Sequence, residues 1–319
     1  MAKVLKPGWS KPSTILFASE IPANEKAFSF ALGQAVVFGA KLILFHAYDT
    51  LLVSATESAS VLYYDAAAVD RAEMEHLEPL AERVRDEGVE CETVVRPGLA
   101  ADQILTCQRE RQIDRIVMGT HSPGPIGKLL VGSVAEAVLR MAPVPVFIVG
   151  PEVVNSADSN FAIRTILCGV SLHESSAMVA SFAAQLAAEH NARLLLQHVI
   201  RPQKRHEVLS GRSIDQIEDE MVSLIPVALR KKIAVQPIVA PGDPTEELLN
   251  HGRSQQADLT VLGAQGASAF AAVARHGVVY KVLAHARCPV MTLSPVVLAA
   301  SGAKKERVPT GEVYLAGVF

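Results

Sequence analysis

The sequence predicts an α/β protein made of two tandem, doubly wound domains, each built on a five-stranded parallel sheet. Three observations predict it. The 319 residues exceed the size at which a single hydrophobic core usually stops growing, about 250 residues. Short continuous apolar runs alternate with helical patterns, which is typical of parallel strands covered by helices on both faces. The whole succession then occurs a second time along the chain.

The first strands of the unit are found in both halves. Apolar strands at residues 13–20 and 41–49 correspond to strands at residues 164–171 and 193–200. Thr14 and Thr165 lie 151 positions apart, and His46 and His198 lie 152 positions apart. The near-constant offset indicates a duplicated unit.

The remaining elements of the unit repeat with an offset of 144 positions. Residues 94–105 and 114–122 correspond to residues 238–249 and 258–266, and the last apolar strands, within 143–149 and 288–294, correspond with Pro145 opposite Pro289. The change of offset predicts a shorter loop in the middle of the second copy. Gly98 and Gly242 each precede a predicted helix, and we expect them to make tight turns there.

Local signals place the ends of several elements. Asn24 is a good N-cap for the first helix, and Gly39 is a good stop. A second helix is predicted over residues 70–87. Pro145 and Pro289 stand in the last strand of each copy, which favours a sheet edge or a strand start, because proline has no N–H to donate to a neighbouring strand.

A polar, turn-rich stretch separates the two copies. We therefore expect a first domain at residues 1–150, a linker at 151–162, a second domain at 163–295 and a C-terminal tail at 296–319.

The composition limits the kinds of partner and the location that are expected. The formal net charge of −3 gives no long-range attraction to nucleic acid or to an anionic membrane, so neither is an expected partner. The N-terminus has no apolar signal-peptide core, and no stretch approaches the roughly 20 apolar residues that span a bilayer. Four cysteines show no metal-binding spacing. A cytoplasmic protein with reduced thiols is expected.

The loop after the fourth strand of the first copy is the strongest candidate for a ligand site. In an open parallel sheet, ligands bind at the carboxyl ends of the strands, where the strand order reverses. Glycines let the backbone approach an anion, a helix N-terminus directs free N–H groups at it, and a lysine adds positive charge. The loop supplies these features in Gly119, Gly124, Gly127, Lys128, Gly132 and Ser133.

Two better-known phosphate loops match poorly. A Walker A loop needs glycine at its first position and Ser or Thr after its lysine, whereas this chain has Ser122 and Leu129 there. A dinucleotide-binding GxGxxG would follow the first strand of the unit, and that turn has no glycine cluster.

The loop and its surroundings resemble the universal stress protein family. That family's signature after the fourth strand is G-x-x-G, nine residues and then G-[S/T]. Gly119 opens the pattern here, Gly132 and Ser133 close it after nine residues, and Ser122 replaces the second glycine. The resemblance covers roughly residues 13–150 and 163–295 and implies an adenine nucleotide alpha-hydrolase-like fold in its tandem form.

The resemblance also implies a ligand. An adenine nucleotide, ATP or a related one, with or without Mg, would lie across the strand ends of the first copy. The family's ATP-binding members use an acidic residue after the first strand, an apolar residue after the second and the glycine-rich loop for phosphates. Carried onto this chain, the site consists of Glu20, Ala47, Met118, Gly119, Ser122, Gly124, Gly127, Lys128, Gly132 and Ser133.

The second copy keeps less of the pattern. Gly263 and Gly266 are present, but His276 stands nine residues later, where the closing glycine belongs. Gly277 is displaced by one position and is followed by Val278. Ser171 also replaces the acidic residue after the first strand of this copy. We expect no useful nucleotide binding there, and a structural or regulatory role.

Several of these residues have a second interpretation. Ser133 and Glu136 also form an S-x-x-E capping box, which would explain Ser133 without a ligand, and the two roles are compatible. His46 and His198 end interior strands, where core histidines with a hydrogen-bond partner are expected rather than ligands.

Three functions remain open. The leading hypothesis is a stress-response protein that binds an adenine nucleotide in the first copy and acts through conformation or an unidentified protein partner. The alternative is a tandem interaction module without a ligand, whose copies pack as an intramolecular pseudo-dimer. The third is an ATP hydrolase, which would be slow because no catalytic constellation is recognisable in the sequence. A homodimer through the last strands is a further possibility.

Overall fold

The computed structural model describes residues 11–48, 66–120, 131–154, 162–172, 175–202, 211–263, 277–294 and 296–297. Within these residues the chain forms two copies of an alternating strand and helix succession, as the sequence predicts. No helix of the described residues is long and apolar enough to cross a membrane.

The first half alternates five strands with four helices among the described residues. In chain order they are β1 (Thr14–Ala18), α1 (Glu25–Phe38), β2 (Lys41–Tyr48), α2 (Ala66–Asp86), β3 (Cys91–Pro97), α3 (Ala100–Glu110), β4 (Arg115–Gly119), α4 (Ser133–Met141) and β5 (Val146–Val149).

The second half repeats this order with one additional short helix. Its elements are β6 (Thr165–Gly169), α5 (Ser176–His190), β7 (Arg193–Ile200), α6 (Ile214–Ser223), α7 (Val227–Arg230), β8 (Val235–Pro241), α8 (Pro244–Ser254), β9 (Leu259–Gly263), α9 (Val278–His285) and β10 (Val290–Leu293).

All ten strands join in one sheet, in the order β3-β2-β1-β4-β5-β10-β9-β6-β7-β8. Each half is parallel and doubly wound, as predicted. The halves meet where β5 pairs with β10 in antiparallel register, with Phe147 opposite Met291. Because β5 and β10 pair with each other, neither strand has a free edge with which a second chain could pair.

The structure confirms several predicted ends. Asn24 caps α1, and its Oδ1 accepts a hydrogen bond from the Ala27 N–H at 3.1 Å. Gly39 ends that helix in the left-handed conformation at φ 60°. Pro145 and Pro289 immediately precede β5 and β10, so strand starts are confirmed, whereas the edge position is wrong because both strands lie at the centre of the sheet.

Two turn glycines also behave as expected. Gly98 and Gly242 adopt φ values of 117° and 147°, a region that disfavours L side chains. Their N–H groups donate to the backbone oxygens of Tyr48 and Ile200, which ties each turn to the end of the neighbouring strand, β2 or β7. The second predicted helix, residues 70–87, is observed as Ala66–Asp86.

A matching pair of aspartates shows how closely the copies correspond. Oδ2 of Asp114 accepts hydrogen bonds from the N–H groups of Ser13 and Thr14. Oδ2 of Asp258 accepts the corresponding bonds from Arg164 and Thr165, both at 2.8 Å. Each aspartate thus fixes the start of the first strand in its own half.

The core lies on both faces of the sheet. Alternate residues of β1 point to opposite faces, with Phe17 in one buried cluster and Leu16 in the other. Both clusters contain residues from both halves, so apolar packing continues across the β5–β10 junction. The two halves therefore share their core.

Candidate functional site

The candidate site lies at the carboxyl edge of the first half. The chain leaves β1 towards β2 on one side, and β4 lies on the other side, so the strand order reverses between β1 and β4. Ala18 pairs with Phe45 of β2 and with Met118 of β4, which brings the three strand ends to the same level. Such a reversal creates the crevice in which open α/β sheets bind ligands.

The structure describes six of the ten predicted site residues. Glu20 is exposed two residues after β1, Ala47 is partly buried in β2, and Met118 is buried beside Gly119 at the end of β4. Gly132 and Ser133 begin α4. The strand register supports the grouping of the residues from β1, β2 and β4. The other four, Ser122, Gly124, Gly127 and Lys128, lie outside the described residues.

Gly119 is packed directly against Asn24. A Cβ placed on Gly119 would lie 2.8 Å from Nδ2 and 3.1 Å from Cγ of Asn24. A side chain at position 119 would therefore have to displace the residue that caps α1. This contact explains glycine at the end of β4 without any ligand, and it also places the Asn24 amide at the mouth of the crevice.

Two histidine contacts hold the strand ends in place. Nδ1 of His46 lies 3.0 Å from the backbone oxygen of Ser19, and Nδ1 of His198 lies 2.9 Å from that of Val170. Each histidine thus ties the end of the second strand to the residues after the first strand. The prediction of satisfied core histidines is confirmed, and His46 also positions the segment that leads to Glu20.

Side-chain contacts hold helix α2 beside the same carboxyl edge of the sheet. The Tyr48 hydroxyl donates to Oδ1 of Asp70 at 2.8 Å. Nε2 of His46 lies 3.7 Å from Oε2 of Glu73. Further along α2, a hydrogen bond from Arg83 lowers the pKa of Glu25, the first residue of α1, so this carboxylate stays ionised. The helices that flank the crevice are therefore linked by side chains as well as by the core.

The N-terminus of α4 is capped by a residue without a side chain. Gly132 is the N-cap, with φ −63° and ψ 157°, and Ser133 is the first helical residue, with an exposed side chain. A capping box would require Ser133 at the N-cap, so the prediction that Ser133 and Glu136 form one is wrong. The first N–H groups of α4 gain no cap from Gly132 and suit an anion.

The second half has the same backbone arrangement with different side chains. Gly277 is the N-cap of α9, with φ −70° and ψ 161°, so the structure gives it the role of Gly132 despite its shift in the sequence. Val278 follows where the first half has a serine. Ser171, in the place of Glu20, approaches Ser176 with their hydroxyls 3.1 Å apart.

Close packing also recurs at the end of β9. A Cβ on Gly263 would lie 2.8 Å from Cγ2 of Val179, so this glycine meets an apolar group where Gly119 meets an amide. Among the described residues, the second half therefore has Val278, Ser171 and Val179 where the first half has the Ser133 hydroxyl, the Glu20 carboxylate and the Asn24 amide. Within the described residues, no group of three or more His, Cys, Asp or Glu side chains is placed to hold a metal ion.

The sequence indicates Asn24 only as a helix cap. Its approach to Gly119 depends on α1 and β4 packing together, and these elements are far apart in the chain. The only available signal was the coincidence of an N-cap asparagine with a glycine at the end of the fourth strand.

Comparisons with known proteins agree with this architecture. The model of the universal stress protein family matches residues 13–150 and again residues 162–294. A universal stress protein of Thermus aquaticus is 32% identical over 43% of this chain and 97% of its own length. One from Mycolicibacterium smegmatis is 33% identical over 33% of this chain and 78% of its own length.

A solved structure extends the comparison to the whole tandem. A universal stress protein from Archaeoglobus fulgidus covers 90% of this chain and 97% of its own, with a TM-score of 0.68 and 17% identity. At that identity the likeness supports the fold of the two joined halves.

Proposed function

Because the chain belongs to the universal stress protein family, we propose that it binds an adenine nucleotide, ATP or a related one, in its first half and acts through conformation or a protein partner. The observation that carries the proposal is the exposed Ser133 directly after the glycine N-cap of α4, beside the point where the strand order reverses, because the second half repeats this frame with Val278 in the place of the serine. The nucleotide's phosphates would accept hydrogen bonds from the first N–H groups of α4.

The rest of the crevice suits the other parts of a nucleotide. The Ser133 hydroxyl is exposed at the first helical position, where it would add a donor to a phosphate oxygen. Ala47 and Met118 provide apolar surface at the strand ends for the base. Glu20 stands two residues beyond β1, where its carboxylate would accept hydrogen bonds from the base or the ribose. Mg would bind together with the phosphates of the nucleotide.

The second half is proposed to remain without nucleotide. Val278 supplies no hydroxyl in the place of Ser133, and Ser171 supplies no carboxylate in the place of Glu20. Each lost hydrogen bond costs about 1 kcal/mol or more of binding free energy, so the two losses together lower the affinity by about thirtyfold or more. This half would serve as a rigid partner whose contacts with the first half transmit the ligand state.

The test is to identify what the purified protein carries. We expect mass spectrometry of a denatured extract to show an adenine nucleotide in equimolar or smaller amount. A Ser133→Val variant, which copies the second half, should lose most of it. An empty protein whose melting temperature does not change in millimolar Mg·ATP would instead favour the ligand-free interaction module.

A further inference from the structure

A buried charge from the first half meets a carboxylate from the second. Arg115, the first residue of β4, is completely buried, and its Nη2 lies 3.5 Å from Oε2 of Glu189 on α5. Nη1 of Arg115 donates to Oε1 of Gln34 at 3.3 Å, and the guanidinium lies 4.6 Å from the ring centre of Phe38. This ion pair therefore bridges the two halves.

The pair stands next to the local two-fold axis that relates the halves. Phe38 ends α1 before Gly39, and His190 ends α5 before Asn191, and both of these following residues are left-handed. Phe38 and His190 are thus equivalent residues, and their rings touch edge to face with centres 5.1 Å apart. Equivalent residues that touch each other must lie on the axis between the two copies.

The same equivalence shows that the charges are not repeated. Glu189 precedes His190, so its counterpart in the first half is Val37, which precedes Phe38. Arg115 pairs with Ile15 in the first half, and Leu259 pairs with Ile166 in the second, so the counterpart of Arg115 is Leu259. Each half thus supplies one charge of the pair, and an apolar residue stands at the position that corresponds to the other charge: Val37, which is exposed, and Leu259, which is buried.

This arrangement favours one combination of halves. Two first halves paired in the same way would bury two arginines beside valines, and two second halves would bury two glutamates beside leucines. A buried charge without its partner is strongly destabilising, because nothing replaces the water that it has lost. Burial lowers the pKa of Arg115 to about 10 and raises the pKa of Glu189, and each of the two charges opposes this shift in the other.

We propose that the Arg115–Glu189 pair selects the pairing of unlike halves, so that like halves of two chains are rejected. A buried ion pair of this kind contributes specificity rather than net stability, since it lowers the free energy of one assembly by less than it raises that of the alternatives. The proposal does not depend on nucleotide binding.

A double-mutant cycle in the full chain tests the coupling. Arg115→Leu and Glu189→Val each introduce the residue that the other half has at the same place. Each single change leaves one buried charge and should lower Tm by about 5–10 °C, whereas the double variant should recover most of that loss. A double variant that loses the sum of the two shifts, or does not fold, contradicts the proposal.

A crosslinking experiment tests the selection itself. Within one chain, residue 38 lies against residue 190. In a pair of first halves, residue 38 of one chain would lie against residue 38 of the other. Phe38→Cys is therefore introduced into the wild-type and double-variant chains, which are refolded at high concentration and treated with a short bis-maleimide. The same chains without Phe38→Cys measure crosslinking through the native thiols.

The proposal predicts crosslinked dimer above that background only when the charges are absent, with several-fold more in the Arg115→Leu/Glu189→Val chain than in the wild-type chain. Equal yields of dimer in the two backgrounds would overturn it.

Discussion

Gly132 and Gly277 cap α4 and α9 with nearly the same backbone angles, φ −63° and ψ 157° against φ −70° and ψ 161°. The residue that follows is a serine in the first half and a valine in the second. The two crevices therefore share a backbone frame and differ in the side chains that complete it. This difference allows each variant of the first half to be compared with the same change in the second.

An aspartate at the N-cap of α4 should displace the nucleotide. In a Gly132→Asp variant the new carboxylate accepts hydrogen bonds from the first N–H groups of the helix and repels phosphate. The Kd for ATP should therefore rise at least about tenfold. Displacement of a fluorescent ATP analogue measures this Kd. The matched Gly277→Asp variant gains the same cap and should bind ATP like the wild type; weaker binding by that variant would contradict the assignment of the site.

The Ser133 hydroxyl is expected to serve the ligand and not the helix. Since Ser133 is exposed and is not the N-cap, Ser133→Ala should leave the free energy of unfolding within about 0.5 kcal/mol of wild type. The affinity for ATP should fall about threefold to tenfold, the value of one hydrogen bond. Urea unfolding and the displacement assay report the two effects separately.

Ser213 provides the control, because it forms a true capping box with Gln216 at the start of α6. Ser213→Ala should lose about 1 kcal/mol of stability and keep its affinity for ATP. If Ser133→Ala is the variant that loses stability, the serine caps α4 in solution and the proposed role is wrong.

Gly119 and Asn24 should show coupled effects on stability. In Gly119→Ala the new methyl group, 2.8 Å from Nδ2, pushes the Asn24 side chain away and disturbs its bond to the Ala27 N–H. We expect a loss of about 1–2 kcal/mol on urea unfolding, similar to that of Asn24→Ala. The double variant should lose much less than the sum, since both changes remove the same cap. Additive losses would show that the contact carries no energy.

The junction should make the protein sensitive to acid. Burial, with the nearby Arg115, lowers the pKa of His190 from 6.5 to about 4, so folding favours the neutral ring. The stability that this provides is complete above about pH 6.5 and is lost as the pH falls towards 4, by up to about 2–3 kcal/mol. Unfolding free energies measured across this range should therefore decline on acidification.

His190→Phe isolates this effect, because phenylalanine is the residue that the first half has at the same place. As the pH falls from 6.5 to 4, the free energy of unfolding should decrease more for the wild type than for the variant. Contributions from Glu189 and the other carboxyls are present in both proteins and largely cancel in this comparison. A difference that is constant across this range would show that His190 is protonated as easily in the folded chain as in the unfolded one.

Much of the fold follows from local patterns. The duplicated apolar strands, the Asn24 cap, the Gly39 stop and the turns at Gly98 and Gly242 depend on residues close in sequence, and each was predicted. The junction of β5 and β10 was not, because a strand start after proline has the same local pattern whether the strand lies at an edge or pairs with a distant strand. Full burial of all four residues in each strand reflects the central position.

The candidate site was harder to predict in detail. The pattern from Ser133 to Glu136 fits a capping box, but the pattern cannot distinguish an N-cap from the residue after it, and Gly132 takes the N-cap. Gly277 was taken as displaced, because residue spacing cannot show that α9 begins one position later than the repeat suggests. Arg115 gave no local signal of burial, since Glu189 and Phe38 reach it only in the folded tandem.

We propose one nucleotide site per chain, in the first half. Isothermal titration of the intact protein with Mg·ATP tests it directly, using wild type, Gly132→Asp and Gly277→Asp side by side. We predict one site per chain in the wild type, one unchanged site in Gly277→Asp and a strongly weakened one in Gly132→Asp. Two sites per chain, no binding at millimolar ATP, or a single site that weakens only in Gly277→Asp would rule out a single site in the first half.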